Sequence, residues 1–101
     1  MGSVRIKLSP SLASMTGKKQ YTDWLVIDRT IDGNTTIGDV LIGFSHERPE
    51  FSRILFDSET GKISDEINVV LNRNLLISSE AGDVIVKESD NIILLPIYTG
   101  G

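Results

Sequence analysis

No cysteine occurs in this chain. That excludes disulfides, thiolate nucleophiles and any persulfide or thioester chemistry on its own side chains, and it fits a reducing, cytoplasmic setting. There is one histidine, His46, at the end of a helical stretch where an imidazolium meets a favourable dipole. A structural role suits it better than a catalytic one. No serine has a plausible histidine–carboxylate context, and no cluster of residues has metal-ligand spacing. Basic residues are in the minority, ten Lys and Arg against fourteen Asp and Glu for a net charge of −4, and they are scattered. This balance argues against nucleic acid as a partner. No apolar run approaches the length of a membrane span, and the N-terminus lacks a secretory signal pattern. Thr16-Gly17-Lys18 and Thr60-Gly61-Lys62 look like the end of a phosphate loop, but the upstream glycine is replaced by Leu12 and Phe56. Asp57-Ser58-Glu59-Thr60-Gly61 has its glycine one place early for a calcium loop, so a surface turn is expected there. These absences point to a chain that binds no cofactor or metal and is not itself an enzyme.

What is present is an ordinary globular composition, 40% hydrophobic and 24% charged over 101 residues, expected to form one domain over 1–101. Val4-Arg5-Ile6-Lys7-Leu8 alternates and predicts a half-buried strand that Ser9-Pro10 ends. A helical turn carrying Leu12 and Met15 follows, closed by Thr16-Gly17. Tyr21 to Ile27 reads as the second strand, with Trp24 packing its ring over a sheet edge, and Asp32-Gly33-Asn34 as a turn. Thr36 and Asp39 have capping-box spacing, and Ile37, Val40, Leu41 and Phe44 form one helical stripe. Gly38 and Gly43 each lower helix propensity by roughly 1 kcal/mol, which is reasonable if they let the helix approach the sheet closely. Pro49 ends this helix and opens a short one bearing Phe51, Ile54 and Leu55. After a polar loop over 57–66, Ile67 to Leu71 reads as a third strand. Asn72-Arg73-Asn74 turns into Leu75-Leu76-Ile77, and turns at 81–83 and 89–91 enclose a short Val84-Ile85-Val86 segment. The expected architecture is α+β: a mixed sheet of about five strands gripping one main helix, with first and last strands side by side and parallel.

The last stretch organises the rest. Ile92-Ile93-Leu94-Leu95-Pro96-Ile97 predicts a buried strand, and Tyr98-Thr99-Gly100-Gly101 a flexible tail over 98–101. No side chain after Asp90 is ionisable, so the terminal carboxylate is the only charge there. A glycine pair adds nothing to a core. It suits a narrow thread carrying a carboxylate into another protein's active site, where a Cβ would collide with the walls. A frayed end or a cloning remnant is the competing reading. A carboxylate is a poor electrophile until activated, for example as an acyl-adenylate. The magnesium, phosphate clamps and oxyanion donors for that step must sit on a second protein.

Several stretches resemble one family, the MoaD/ThiS-like sulfur carriers, β-grasp relatives of ubiquitin. Val4–Leu8 with Leu12, Met15 and Thr16-Gly17 is similar to that family's opening, and Thr36-Ile37-Gly38-Asp39-Val40-Leu41 to its helix start. Ile67-Asn68-Val69-Val70-Leu71-Asn72 is similar to its third strand and turn. Lys87-Glu88-Ser89-Asp90-Asn91 running into Ile92–Gly101 is similar to its C-terminal signature. The chain departs from the pattern at Ser89, at Ile97, and within Asn72-Arg73-Asn74, where the family has glycine, proline and glycine. Residues 18–34 are also longer than in compact members.

The resemblance implies a carrier whose Gly101 carboxylate is adenylated by an E1-like adenylyltransferase of the MoeB/ThiF type, using ATP and magnesium. A thiocarboxylate then forms and serves molybdopterin or thiamine thiazole biosynthesis, through the large subunit of molybdopterin synthase or a thiazole synthase. In the first case the chain would be a synthase small subunit. By position, Gly101 bears the sulfur and Gly100 keeps the thread narrow. Leu95 with Ile93 and Ile97 forms an outward face that, together with Pro96, Tyr98 and Thr99, meets the partner, while Ile92 and Leu94 face the helix. Coverage of both faces by the chain's own loops is the alternative. Two other functions stay open at this point: a ubiquitin-like modifier joined to target lysines through Gly101, and an interaction module with an inert tail.

Overall fold

The computed structural model describes residues 2–97. β1 (Gly2–Leu8) and β2 (Leu25–Ile31) pair antiparallel, and β5 (Asn91–Pro96) lies on the other side of β1, parallel to it. β3 (Ile67–Leu71) pairs antiparallel with β5 and with the short β4 (Asn74–Leu76). The sheet order is therefore β2-β1-β5-β3-β4, with β5 at its centre.

Helix α2 (Ile37–Glu47) crosses one face of the sheet. Its start is fixed by the expected capping box. The Asp39 amide donates to Thr36 Oγ1 and the Thr36 amide donates to Asp39 Oδ2, both at 3.1 Å. Two orphan amides are thus satisfied where the helix has no internal partner for them. The stripe Ile37, Val40, Leu41 and Phe44 is buried in one cluster with Ile6, Leu8, Val69, Ile92 and Leu94, while Leu71 packs against it half-buried. Pro49–Phe51 forms a 3-10 turn that runs into α3 (Ser52–Leu55). Phe51 packs there against Phe44 with ring centroids 5.0 Å apart.

Several local expectations are corrected. The second strand begins at Leu25, not Tyr21. The Tyr21 amide donates to Ser14 Oγ at 2.8 Å, which ties this segment to the end of α1 (Pro10–Ser14) and keeps it out of the ladder. From Leu25 the alternation runs on to Ile31, four residues past the expected end at Ile27 with its pattern intact. Met15 lies 55% exposed instead of joining Leu12 in the core, because Ala13 fills the second buried position of that turn. Trp24 stands just before β2 and is about half exposed. The polar loop over 57–66 contributes one core residue, Ile63, which bridges Phe56. Val84–Val86 forms no strand. Ile85 makes an isolated bridge with Thr36, and the Val86 amide donates to the Thr35 carbonyl at 2.9 Å. Before it, the unforeseen α4 (Ser78–Ala81) buries Ala81. The fourth strand spans Asn74–Leu76, one residue earlier than expected.

The two helical glycines serve different contacts. Gly43 faces the Arg29 side chain of β2, as expected of an approach to the sheet. Gly38 instead meets backbone: a Cβ there would lie 3.0 Å from the Gly82 carbonyl oxygen. That oxygen accepts from the Gly38 amide at 3.1 Å, so the close approach carries a hydrogen bond.

Two departures from the family pattern fall at special backbone positions. Asn72 has φ 59° and Ser89 has φ 72°. The left-handed region is tolerated by asparagine and costs other side-chain residues about 1–2 kcal/mol. Surrounding hydrogen bonds hold both turns. Asn72 Nδ2 donates to Asp90 Oδ1 at 3.1 Å, the Asn91 amide donates to Asn72 Oδ1 at 3.0 Å, and the Lys87 amide donates to Asp90 Oδ2 at 2.8 Å. These bonds offset the backbone strain and hold the start of β5.

Candidate site at the end of the central strand

β5 presents its two faces differently. Ile92 and Leu94 are fully buried against the helix side, whereas Ile93, Leu95 and Pro96 are half-buried and Ile97 is 39% exposed. Ile93, Leu95 and Ile97 are thus less buried than Ile92 and Leu94. Pro96 sits at the end of the strand opposite Ile67. It needs no amide partner there. The Ile97 amide donates to the Glu66 carbonyl at 3.0 Å, the last described tie before the tail. Tyr98, Thr99, Gly100 and Gly101 lie outside the described residues.

Sheet register builds an outer face around Ile93. Across the strands, Val26, Lys7, Ile93, Val70 and Leu75 lie in one row. Toward the opposite end of the sheet, the next outer row is Asp28, Arg5 and Asn91. Arg5 Nε donates to Asp28 Oδ1 at 2.9 Å. This bond holds the Asp28 carboxyl below its ordinary range and raises the Arg5 guanidinium, although so exposed a pair stabilises the fold little. Along β5 itself the outer positions thus run from polar Asn91 to apolar Ile93 and Leu95.

Leu75, 68% exposed, Ile77, 66% exposed, and half-exposed Val26 extend the apolar area beyond the residues expected from sequence. The run Leu75-Leu76-Ile77 held the missing signal: with Leu76 turned inward, its neighbours must face out. Among the described residues no group of three or more His, Cys, Asp or Glu is placed to hold a metal ion. Among them, too, no helix is long and apolar enough to cross a membrane.

The comparisons with known proteins agree with this geometry. No family model matches the chain, and no curated protein matches it. Solved structures do. The crystal structure of SAMP1 from Haloferax volcanii matches with a TM-score of 0.75 at 27% identity, over 99% of this chain and 100% of that one. The chain has the ubiquitin-like β-grasp fold. A putative molybdopterin converting factor subunit 1 from Pyrococcus furiosus matches with a TM-score of 0.64 at 14% identity, over 97% of this chain and 100% of that one. A chain of the Amycolatopsis orientalis BexX/CysO complex matches with a TM-score of 0.67 at 21% identity, over 97% and 99% respectively. The neighbours of this β-grasp domain are therefore small ubiquitin-like carriers and modifiers of the MoaD/ThiS type, as the sequence resemblance implies.

Proposed function

We propose that this β-grasp protein is a sulfur carrier. In the first step, an oxygen of the Gly101 carboxylate attacks the α-phosphorus of ATP on an E1-like adenylyltransferase, forming the acyl-adenylate and releasing pyrophosphate. A sulfur donor then displaces AMP, leaving a thiocarboxylate that passes its sulfur to an acceptor synthase. ATP and magnesium belong to the activating partner. Gly100 keeps the thread narrow, and Ile93, Leu95, Pro96, Ile97, Tyr98 and Thr99 form the surface that seats it. The observation that carries this reading is the apolar outer face of β5 at the end where the chain leaves the sheet toward Gly-Gly. The name of the Pyrococcus furiosus neighbour favours molybdopterin biosynthesis over the thiazole branch as the sulfur's destination.

A second reading has its own support. A Methanosarcina acetivorans neighbour at 27% identity is named small archaeal modifier protein 1. That favours conjugation of Gly101 to a target lysine, and both readings share the same adenylate. Intact-mass measurement after incubation with the activating enzyme, ATP, magnesium and a sulfur donor separates them. A carrier gains the mass of one oxygen-to-sulfur exchange, and a modifier appears as an isopeptide adduct. Deleting Gly101 withdraws the carboxylate by roughly 3.3–3.6 Å of extended chain. The truncated protein should fold like the parent and lose activation by on the order of a hundredfold or more. Activation of the truncated form at the parent's rate would remove Gly101 from its assigned role.

A further inference from the structure

A thread entering a channel leaves rotation about its own axis undetermined. The ends of the flanking elements carry charge that can determine it. Leu8, Leu94 and Leu25 are level with one another, so the connection between β1 and β2 lies at the end of the sheet from which the tail departs. This connection, residues 9–24, is fastened down. The Ser9 amide donates to the Leu94 carbonyl at 3.1 Å, α1 packs against β5, and Ser14 Oγ receives the Tyr21 amide at 2.8 Å. Tyr21 is further held by Lys19 Nζ, 5.1 Å from its ring centroid, and by Arg48 at the end of α2, whose Nη1 donates to the phenol at 3.4 Å. The β1–β2 side of the exit thus carries Lys18 and Lys19 in a connection whose only acid is Asp23, and Arg48, between Glu47 and Pro49-Glu50, meets that connection at Tyr21.

On the opposite side, β3 begins next to the last residues of β5, and Glu66 accepts the Ile97 amide. Asp65 and Glu66 are both exposed there. With Asp57 and Arg53 they line a shallow depression holding three carboxylates and one guanidinium. In a chain of net charge −4, a cationic group on one flank of the tail and an anionic group on the other is a local separation, not an average.

We infer that this charge pair on the rim of the tail root sets the rotational orientation in which the protein docks on its activating enzyme. The partner surface it fits carries carboxylates where it meets residues 18–19 and cations where it meets Asp65 and Glu66, around the channel that admits the thread. The inference rests on the carrier reading and adds the recognition chemistry of the same site. Opposed charges on a rim steer the encounter and penalise wrong orientations, while the apolar face and the thread supply the contact area.

The test measures adenylation of the full chain by its E1-like enzyme, as ATP–pyrophosphate exchange, at low and high salt. K18E/K19E and D65K/E66K should each raise KM about tenfold at low salt with kcat unchanged, and the difference should narrow as salt screens it. Both sites are exposed and K18E/K19E loses only the Lys19–Tyr21 contact, so Tm should fall by no more than about 5 °C. Lys18→Glu alone leaves the Lys19–Tyr21 contact intact and should give a smaller shift of the same kind. An active parent with both double variants at the parent's KM overturns the inference and leaves the carrier reading standing. A parent that is not adenylated removes both.

Discussion

Along β5, Ile92 and Leu94 point to the helix and are fully buried, whereas Ile93 and Leu95 lie on the outer face and are only half-buried. The two pairs have the same composition and are offset by one residue, so hydropathy does not distinguish them. Their neighbours do. The inner pair joins a cluster that includes Ile6, Leu41, Phe44 and Val69. The outer pair is flanked by Lys7, Val70 and Asn68. An apolar face left open beside a departing tail is the kind of surface that a partner closes.

The comparison breaks most visibly at Leu94. Leu94→Asp buries an unpaired carboxylate, which costs at least several kcal/mol, close to the whole stability of about 5–15 kcal/mol for a domain of this size. Thermal or denaturant unfolding should show no cooperative folded state. One residue on, Leu95→Asp should keep Tm within about 3 °C of the parent and weaken the complex with the activating enzyme at least tenfold, as measured by titration calorimetry. If Leu95→Asp also unfolds the protein, both faces of β5 are core and the docking assignment fails.

Effects away from both faces are smaller and calibrate the comparison. Ser89→Gly relieves a left-handed serine at the start of β5, far from the tail, and should raise stability by about 0.5–1 kcal/mol in urea titration. Activation should be unaffected; an altered KM would mean that the start of β5 also contributes to docking. The smallest effect belongs to the turn between β2 and α2. Asp32 Oδ1 accepts the Asn34 amide at 2.8 Å and the Thr35 hydroxyl at 3.0 Å, and these bonds hold its carboxyl below the ordinary value of 3.8. A depressed folded-state pKa contributes stability above the unfolded-state value and loses it as pH falls through the folded one. Stability should therefore fall on acidification below about pH 4. Asp32→Asn should remove that part of the slope, a result that a stability–pH profile reads directly.

Much of this architecture was legible because its determinants are local and periodic. The capping box at Thr36 and Asp39, the stripe Ile37–Val40–Leu41–Phe44 and the alternation of Val4, Ile6 and Leu8 each need only a few neighbouring residues to act. The alternation of inner and outer positions along Ile92 to Leu95 was legible from the apolar run alone. The start of the second strand was not, because β-propensity at Tyr21 to Trp24 is overridden by Ser14 and Arg48, which lie seven and twenty-seven residues from Tyr21. The same holds for Ile63 and Ala81, buried residues inside polar segments.

The sequence by itself determined the main helix, its cap and the apolar strands, since chain periodicity and backbone chemistry act without a partner element. Only the tertiary structure decided what flanks the end of β5. Placing β5 between β1 and β3 sets Val26, Lys7, Ile93, Val70 and Leu75 in one row and brings the end of β1 and the start of β3 to opposite sides of the end of β5. Those residues are far apart along the chain, and their alignment follows from strand register, which burial of the whole inner face enforces at once.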